Sequence, residues 1–295
     1  MGDVEQVAGQ GLVVTDLERR YSAFTLGPVS FRVPRGRALG LLGSNGAGKT
    51  TLLAGLAGQG RRHAGVVTWN GAPSQHGAWR ARQHVSYVRD VPTFYSELSV
   101  GQTMRFVSRL HPTWKQQRAD ELLEVFRLDP RKPVKALSRG MRAKLGLMLG
   151  VSHDVQLLLL DEVTAGIDPD TRDDIQRLLR GLVVERGISV VVSSHIFEDV
   201  EQVSDDVLIL RRGAPVFNGT LTQAQALVAF AVRVAVPEAV ERSPALVGKW
   251  SGPDGTTVVL LPSAEPHVEE ALAAANAVRR SASLRDLYFA YRERS

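Results

Sequence analysis

The 295-residue sequence contains no cysteine. It therefore lacks the thiols of a disulfide framework, a thiolate metal site or a cysteine nucleophile, in keeping with a reducing compartment. Long hydrophobic runs are also missing: the most apolar segments, residues 155–160 and 188–192, are far shorter than the roughly 20 residues that cross a bilayer. Because the first ten residues include Asp3 and Glu5 but no apolar stretch, neither a signal peptide nor a membrane span is expected.

Aromatic residues are scarce, at 6%, and the 27 glycines and 14 prolines are too few for a fibrous or low-complexity chain. The hydrophobic fraction of 44% and the charged fraction of 23% are typical of a globular protein with a sizeable core. The length allows one large domain with a small companion.

The positive charge is confined to one stretch. The whole chain carries a net charge of +5, whereas residues 109–144 alone hold ten basic and four acidic side chains, a local charge of +6. A general nucleic-acid binder more often spreads its basic residues over a face or a tail, so no nucleic-acid partner is expected. The pattern instead raises the question of which anion this one region meets.

Hydrophobic periodicity predicts an α/β fold. A β-rich amino-terminal part is indicated by strand-like alternation at residues 12–15, 29–33, 38–42 and 66–69. Residues 157–160 and 188–192 are uninterrupted apolar runs, the pattern of parallel strands buried on both faces. Between them, residues 171–186 have helical spacing with Asp170 as a candidate N-cap, which completes a β-α-β unit.

The pattern divides the chain into a main domain, residues 1–222, and a small α+β domain, residues 223–295. A mostly helical subdomain, about residues 91–153, is predicted as an insertion into the main domain. The small domain is predicted to contain a strand at 232–236, a hairpin about Asp254-Gly255 and helices at 267–280 and 284–292.

A glycine-rich loop separates the predicted strand 38–42 from a helical pattern. Its sequence is Gly43-Ser44-Asn45-Gly46-Ala47-Gly48-Lys49-Thr50-Thr51, a complete G-x-x-x-x-G-K-T motif. The glycines let backbone N–H groups point into a concavity for phosphate oxygens, and the helix N-terminus adds positive potential. We expect Lys49 to meet the β- and γ-phosphates of a nucleotide and the Thr50 hydroxyl to ligate Mg²⁺.

A pair of carboxylates, Asp161-Glu162, ends the apolar run 155–160. This position is the carboxyl end of a buried strand, the edge at which open α/β sheets bind ligands. Asp161 is suited to hold Mg²⁺ directly or through water, and Glu162 to act as the general base toward an attacking water.

Further motifs follow in an order that resembles the nucleotide-binding subunits of ABC transporters. Leu137-Ser138-Arg139-Gly140-Met141 resembles the family's signature, residues 165–168 resemble its D-loop, and His195 resembles its switch histidine. Tyr21, 28 residues before Lys49, is similar to the aromatic that stacks on adenine, and residues 88–90 lie where the Q-loop belongs. The resemblance covers roughly residues 10–222.

The resemblance implies a P-loop NTPase (RecA-like) core with an amino-terminal antiparallel β-subdomain and a helical signature subdomain, so that residues 1–222 are an ABC-type ATP-binding domain. The small α+β region is then a carboxyl-terminal appendage. The implied ligands are ATP and Mg²⁺. Nucleotide-binding residues are Tyr21 and the loop from Gly43 to Thr51, and the catalytic residues are Glu162 and His195.

The resemblance also implies a sandwich of two subunits. Ser138 and Gly140 of one subunit reach the γ-phosphate held by Lys49 of the other, and Arg139 and the D-loop residue Asp168 belong to the same trans-acting set. This arrangement accounts for part of the +6 region, because the region ends at a helix N-terminus that faces an anion.

Four positions depart from the family pattern. Asp90 stands where most relatives have Gln, Arg139 replaces the first signature Gly, Met141 replaces the usual Gln, and Val163 replaces the common Pro. With Thr50 and Asp161, Asp90 is expected near Mg²⁺, since its negative charge beside the γ-phosphate requires a cation. Arg139 is expected either to point across the dimer or to lie outward as a helix-start residue.

The implied function is ATP hydrolysis that drives export, on the cytoplasmic face of the cell membrane. The implied partners are a separately encoded polytopic membrane subunit and a second ATP-binding subunit, identical or not. Residues 283–288 and the altered signature resemble drug, lantibiotic and ABC-2 type exporters. Phe94 and Tyr95 are candidate docking residues, with packing inside the helical subdomain as the other interpretation. The alternatives to the implied function are an ABC ATPase acting on ribosomes or DNA and a weakly catalytic, nucleotide-gated interaction module.

Overall fold

The computed structural model describes residues 11–60, 64–73, 83–90, 92–252 and 255–293. The described strands form three sheets, one of six strands and two of four. None of the helices within these residues is long and apolar enough to span a bilayer. The α/β class predicted from the sequence is confirmed.

The six-stranded sheet forms the centre of the main domain. Its strand order is β10-β9-β3-β8-β7-β6, with bounds β3 Ala38–Leu42, β6 Val85–Val88, β7 Leu157–Asp161, β8 Ser189–Ser193, β9 Asp206–Arg211 and β10 Ala214–Thr220. Strands β6, β7, β8, β3 and β9 pair in parallel, and β10 pairs antiparallel to β9. Every residue of β3, β7 and β8 is buried, which explains their uninterrupted apolar sequences.

The register of the sheet brings three functional segments to one edge. Ser193, the last residue of β8, pairs with both Asp161 of β7 and Leu41 of β3. The loops that follow these strands therefore leave the sheet side by side. This edge carries the glycine-rich loop, the carboxylate pair and His195.

Helices cover this sheet, and a second sheet flanks it. Helices α1 Lys49–Leu56, α5 Pro169–Val184 and α6 Phe197–Val203 follow β3, β7 and β8, respectively. The flanking sheet has the order β2-β1-β4-β5 and is antiparallel, with bounds β1 Gly11–Arg20, β2 Thr25–Pro34, β4 Ala64–Trp69 and β5 Ala72–Pro73. Its apolar face joins β3 and α1 in one buried cluster.

The inserted subdomain is helical, as predicted. It contains α2 Val100–Ser108, α3 Gln116–Val125, a 3-10 turn at Val134–Ala136 and α4 Arg139–Val151. Ser99 caps α2 in a reciprocal capping box with Gln102. Helix α4 buries most of its length in the core shared with β7 and α5, which fixes its first turn near the sheet edge.

The carboxyl-terminal sheet has the order β12-β13-β11-β14. Its elements are β11 Val228–Val232, β12 Leu246–Gly252, β13 Gly255–Leu260 and β14 Val278–Ser281, together with α7 Leu221–Gln225, α8 Glu238–Glu241, α9 Pro266–Ala274 and α10 Leu284–Glu293. β12 and β13 form the expected hairpin, although Asp254 lies outside the described residues. The predicted strand 232–236 is shifted, since β11 ends at Val232.

The helix predicted over residues 267–280 is wrong beyond Ala274. Residues 278–281 form strand β14, in which Arg280 pairs with Ala229 of β11. Without β14, strand β11 would present unpaired N–H and C=O groups along one edge. Sheet pairing therefore overrides the helical propensity of this Ala- and Arg-rich segment.

Candidate active site

The glycine-rich loop wraps around the start of helix α1. Gly48 is the N-cap of α1 with φ of 109°, and Gly46 has φ of 80°, both in the left-handed region that favours glycine. A Cβ on Gly48 would lie 3.0 Å from side-chain atoms of Leu26 and Phe24. These conformations turn the loop around a cradle at the helix N-terminus, the arrangement that binds phosphate.

Lys49, the first residue of α1, reaches back across the loop. Its side chain is 5% exposed, and Nζ donates to the Gly43 carbonyl at 2.7 Å. The same Nζ lies 2.9 Å from Oε1 of Glu162. The loop and the carboxylate pair thus meet at one ammonium group.

Asp161 is held in a fixed orientation at the end of β7. It is 4% exposed and accepts hydrogen bonds from Ser193 Oγ at 2.9 Å and from the Tyr87 hydroxyl at 3.2 Å. Burial and the Asp161 carboxylate together raise the pKa of Tyr87, so the phenol remains a donor. Ser193 and Tyr87 were not among the sequence-predicted residues; both lie on strands that neighbour β7.

Glu162 occupies a strained backbone position, with φ of 50°. Its backbone N–H donates to Ser193 Oγ at 3.0 Å, and its Oε2 lies 3.1 Å from Nδ1 of His195. Burial alone pushes its pKa up, but hydrogen bonds and charge from Lys49 and His195 outweigh burial and hold the pKa of Glu162 below its usual value. The carboxylate is therefore ionised at neutral pH.

A cavity of about 380 Å³ opens over the loop, lined by Ser44, Asn45, Gly46, Gly48, Lys49, Thr50, Thr51, Glu162 and Phe24. Tyr21, expected at the adenine, is not among the lining residues. It is 51% exposed, and the Arg19 guanidinium lies 5.7 Å from its ring centroid. The aromatic that the structure brings to the loop is Phe24, which could have been found as a second aromatic between Tyr21 and the loop.

The donor set fits Mg²⁺. Thr50 lines the cavity, and the oriented carboxylate of Asp161 ends the neighbouring strand β7. Hydroxyl and carboxylate oxygens are the ligands this hard cation takes, and its remaining positions are usually filled by water and phosphate. Among the described residues no group of three or more His, Asp or Glu side chains could hold a metal.

The predicted trans-acting residues form a separate cluster. Ser138 is the N-cap of α4 and accepts from the Met141 N–H at 3.2 Å. Asp168 is the N-cap of α5, a role expected of Asp170, and the hydrogen bond from the Thr171 N–H lowers the pKa of Asp168. A Cβ on Gly140 would lie 3.6 Å from Oδ2 of Asp168, so these two helix starts face each other. None of these residues lines the cavity over the loop.

Arg139 and Asp90 form an ion pair with each other. Nη2 of Arg139 lies 2.5 Å from Oδ1 of Asp90, and Nη1 would lie 3.2 Å from a Cβ on Gly166. The side chain of Arg139 turns toward Asp90 of its own subunit, and the contact across a dimer that the sequence suggested stays a prediction. The guanidinium of Arg139 is thus a cation beside Asp90, and the expected place of Asp90 near Mg²⁺ stays a prediction.

A buried carboxylate that sequence reasoning missed, Asp199, ties the catalytic loops together. It is 2% exposed and accepts hydrogen bonds from Thr164 Oγ1 at 2.6 Å, Gln176 Nε2 at 2.8 Å and Ser194 Oγ at 3.2 Å. Thr164 follows Glu162 by two residues, and Ser194 precedes His195. An acidic residue four positions after the histidine was the only sequence signal.

The chain is similar to known proteins in sequence and in fold. A family model described as ABC transporter matches residues 26–165. The chain is 34% identical over 227 residues to the Nod factor export ATP-binding protein I of Ralstonia nicotianae, covering 73% of this chain and 70% of that protein. It is 32% identical over 226 residues to the daunorubicin resistance ATP-binding protein DrrA3 of Streptomyces coeruleorubidus, covering 75% and 71%.

Another relative is the bacitracin transport ATP-binding protein BcrA of Bacillus licheniformis, 32% identical over 202 residues. That match covers 68% of this chain and 66% of the relative, so the chain spans slightly less than two thirds of that protein. Among solved structures, an ATP-binding subunit of an ABC transporter superposes with a TM-score of 0.68 at 27% identity, covering 73% of this chain and 92% of the other. The structure of cbiO1 from Clostridium perfringens, part of the ABC transporter complex cbiONQ, gives 0.63 at 25% identity, covering 72% and 88%.

The fold and the site define a P-loop nucleotide-binding protein. Within that class, the chain belongs to the family of ABC transporter ATP-binding proteins, and the family is one of ATPases.

Proposed function

We propose that this chain hydrolyses ATP to drive export through a separate membrane subunit. The observation that carries the proposal is the contact of Glu162 with Lys49 at 2.9 Å and with His195 at 3.1 Å, beneath a phosphate-binding loop. Export as the direction is supported by the relatives, which include proteins named for Nod factor export and for daunorubicin resistance.

The geometry supports in-line transfer of the γ-phosphoryl group to water. Lys49 and the loop N–H groups hold the β- and γ-phosphates, and Mg²⁺, when bound through Thr50 and Asp161, supplies neutralising charge. Phosphate oxygens give the Lys49 ammonium another anionic partner, so Glu162 is free to orient a water. That water forms the new bond to the γ-phosphorus, its proton passes to Glu162, and the bond to the bridging oxygen of ADP breaks.

The two clusters of functional residues support a dimeric mechanism. Ser138, Arg139, Gly140 and Asp168 lie together but apart from the cavity of the same subunit. In the proposal, each cavity is completed by the cluster around Ser138 from a second ATP-binding subunit. Hydrolysis then reopens the dimer and resets the membrane subunit, which places the chain on the cytoplasmic face of the membrane.

The catalytic role of Glu162 is tested by Glu162→Gln. Turnover of ATP by the purified chain should fall by roughly 10² to 10⁴, the range for a lost general base, while ATP binding is retained. The matched control is Glu198→Gln, which removes an exposed carboxylate from the first turn of α6 and should leave turnover unchanged. Near-normal hydrolysis by Glu162→Gln would remove Glu162 from this role.

The membrane partner is tested at Phe94 and Tyr95. Phe94 lines a groove of about 440 Å³ with Arg89 and Val107, and Tyr95 is 66% exposed with its ring 5.5 Å from that of Phe106. Alanine at both positions should reduce recovery of the chain in the membrane fraction of its native cells without lowering its ATPase rate. Val184→Ala, at a position that is 82% exposed, is the control. A collapsed melting transition of the double variant would instead assign these residues to packing.

A further inference from the structure

Helix α6 lies between the catalytic loops and the carboxyl-terminal domain. It begins at Phe197, two residues after His195, and ends at Val203. A helix of seven residues is too short to be stable alone. Its position, and that of the histidine before it, therefore depends on what it packs against.

On one side, α6 is fixed to the loops of the active site. The buried Asp199 in its first turn accepts hydrogen bonds from Thr164 and Ser194 at 2.6 and 3.2 Å. Ser194 Oγ in turn accepts from the Ile196 N–H at 3.0 Å. These bonds fix the backbone on both sides of His195.

On the other side, α6 is held by helix α10. The Phe197 ring lies 5.3 Å from that of Tyr288 and 6.3 Å from that of Phe289. Glu201 Oε1 accepts a hydrogen bond from the Leu284 N–H at 3.2 Å, which supplies an acceptor for one free donor at the start of α10. Val200 is buried in the same apolar cluster as Leu284 and Leu287.

Helix α10 is itself firmly anchored. Asp286 is 2% exposed and accepts hydrogen bonds from Arg280 Nη2 at 2.7 Å and from Ser283 Oγ at 2.7 Å. The Tyr291 carbonyl accepts from Arg211 Nη1 of β9 at 3.1 Å. The apolar cluster beneath α10 also contains Leu42, the residue that precedes the glycine-rich loop. The helix is thus a fixed support against which α6 packs.

We propose that helix α10 is a positioning element for His195, acting through the contacts of Phe197 with Tyr288 and of Glu201 with Leu284. The role rests on the proposed function, in which Glu162, in contact with His195 at 3.1 Å, orients the water that attacks the γ-phosphorus. The carboxyl-terminal domain thereby sets the catalytic rate from outside the nucleotide-binding cavity. Loss of the support lets α6 and His195 shift, and shifts of about 1 Å can cost up to 100-fold in rate.

The test uses the full chain with Phe197→Ala, Tyr288→Ala and the double variant. We expect kcat for ATP hydrolysis to fall about tenfold in each, within the range for a misplaced group, while KM and nucleotide affinity stay within about twofold of the parent. The double variant should be no slower than either single variant, since the two changes remove one contact. Phe197→Leu, which keeps an apolar contact with Tyr288, should recover most of the lost rate.

The matched control is Phe217→Ala. Phe217 of β10 also packs on α10, with its ring 6.4 Å from that of Tyr291, but it lies outside α6. It should leave kcat near that of the parent. An equal loss of kcat in Phe217→Ala, or a parallel change in nucleotide affinity in Phe197→Ala, would overturn the proposal, because either result describes general loosening of the fold.

A parent chain without ATPase activity would refute the proposed function rather than the positioning role. In that case, hydrogen exchange of residues 194–203 tests the positioning role of helix α10. Faster exchange of this segment in Tyr288→Ala than in Phe217→Ala is the expected result. Equal exchange in the two variants would overturn the proposal by itself.

Discussion

Single side chains at the sheet edge serve more than one partner. Glu162 contacts both Lys49 and His195, and Ser193 both donates to Asp161 and accepts from the Glu162 N–H. Because these groups are linked by hydrogen bonds and ion pairs, a substitution at one of them changes the orientation of the others. Effects of double substitutions within this set should therefore be non-additive.

Outside the active site, His153 makes stability depend on pH. It is 2% exposed and stacks on His111 with ring centroids 4.2 Å apart. Burial, followed by the charges of His111 and Arg118, lowers the pKa of His153 to about 4, whereas in the unfolded chain it is about 6.5. The unfolded state therefore binds more protons between these values, and folding stability is lost as pH falls from about 6.5 to 4.

We predict that His153→Phe, which keeps the ring stack but cannot titrate, loses less folding stability than the parent as pH falls from about 6.5 to 4. The measurement is the free energy of unfolding by urea at several pH values between 4 and 7. His267→Phe, at an exposed position of α9, is the control and should leave the slope unchanged. Parallel curves for His153→Phe and the parent would show that His153 does not contribute.

Local patterns predicted the part of the site that is contiguous in sequence. The glycine-rich loop needed only its spacing and its flanking strand and helix, and Asp161-Glu162 needed only the apolar run before it. Asp199 could not be predicted, because its partners Thr164 and Gln176 come from other elements and a single carboxylate on a short helix is usually exposed. Phe24 was not predicted, because spacing along the chain does not show which ring faces the loop.

At the scale of elements, the ion pair of Asp90 and Arg139 joins the start of α4 to the segment after β6. The two departures from the family pattern are therefore partners. Their side chains are 42% and 47% exposed, and exposed pairs contribute about 0.2–1 kcal/mol. The sequence could not show the pairing, since the residues lie 49 positions apart.

We predict that Asp90→Asn and Arg139→Gln each lower the free energy of unfolding by about 0.2–1 kcal/mol. The free energy of unfolding of the double variant should be no lower than that of either single variant. The coupling should weaken at 1 M salt, where the Debye length is about 3 Å. Because Arg139 engages the carboxylate, Asp90→Asn should leave the Mg²⁺ requirement of ATP hydrolysis unchanged. If Asp90→Asn raises the Mg²⁺ requirement and Arg139→Gln does not, Asp90 contributes to the metal site.

At the scale of the whole molecule, the core shared by α4, α5 and β7 holds the cluster around Ser138 beside the nucleotide cavity without entering it. The carboxyl-terminal domain shares a buried apolar cluster with α6 and β9. In the proposed mechanism, the phosphate-binding loop and the signature of one subunit act on different nucleotides. The proposed mechanism depends most on completion of the site by a second subunit.

The most direct test of this claim is sedimentation of Glu162→Gln with and without MgATP, compared with the same chain carrying Ser138→Arg as well. Glu162→Gln should form a dimer only with ATP. The added arginine, which blocks the signature start, should keep the chain monomeric although its own loop still binds ATP. A Glu162→Gln chain that stays monomeric at saturating ATP, or a Ser138→Arg variant that dimerises equally well, would contradict this claim.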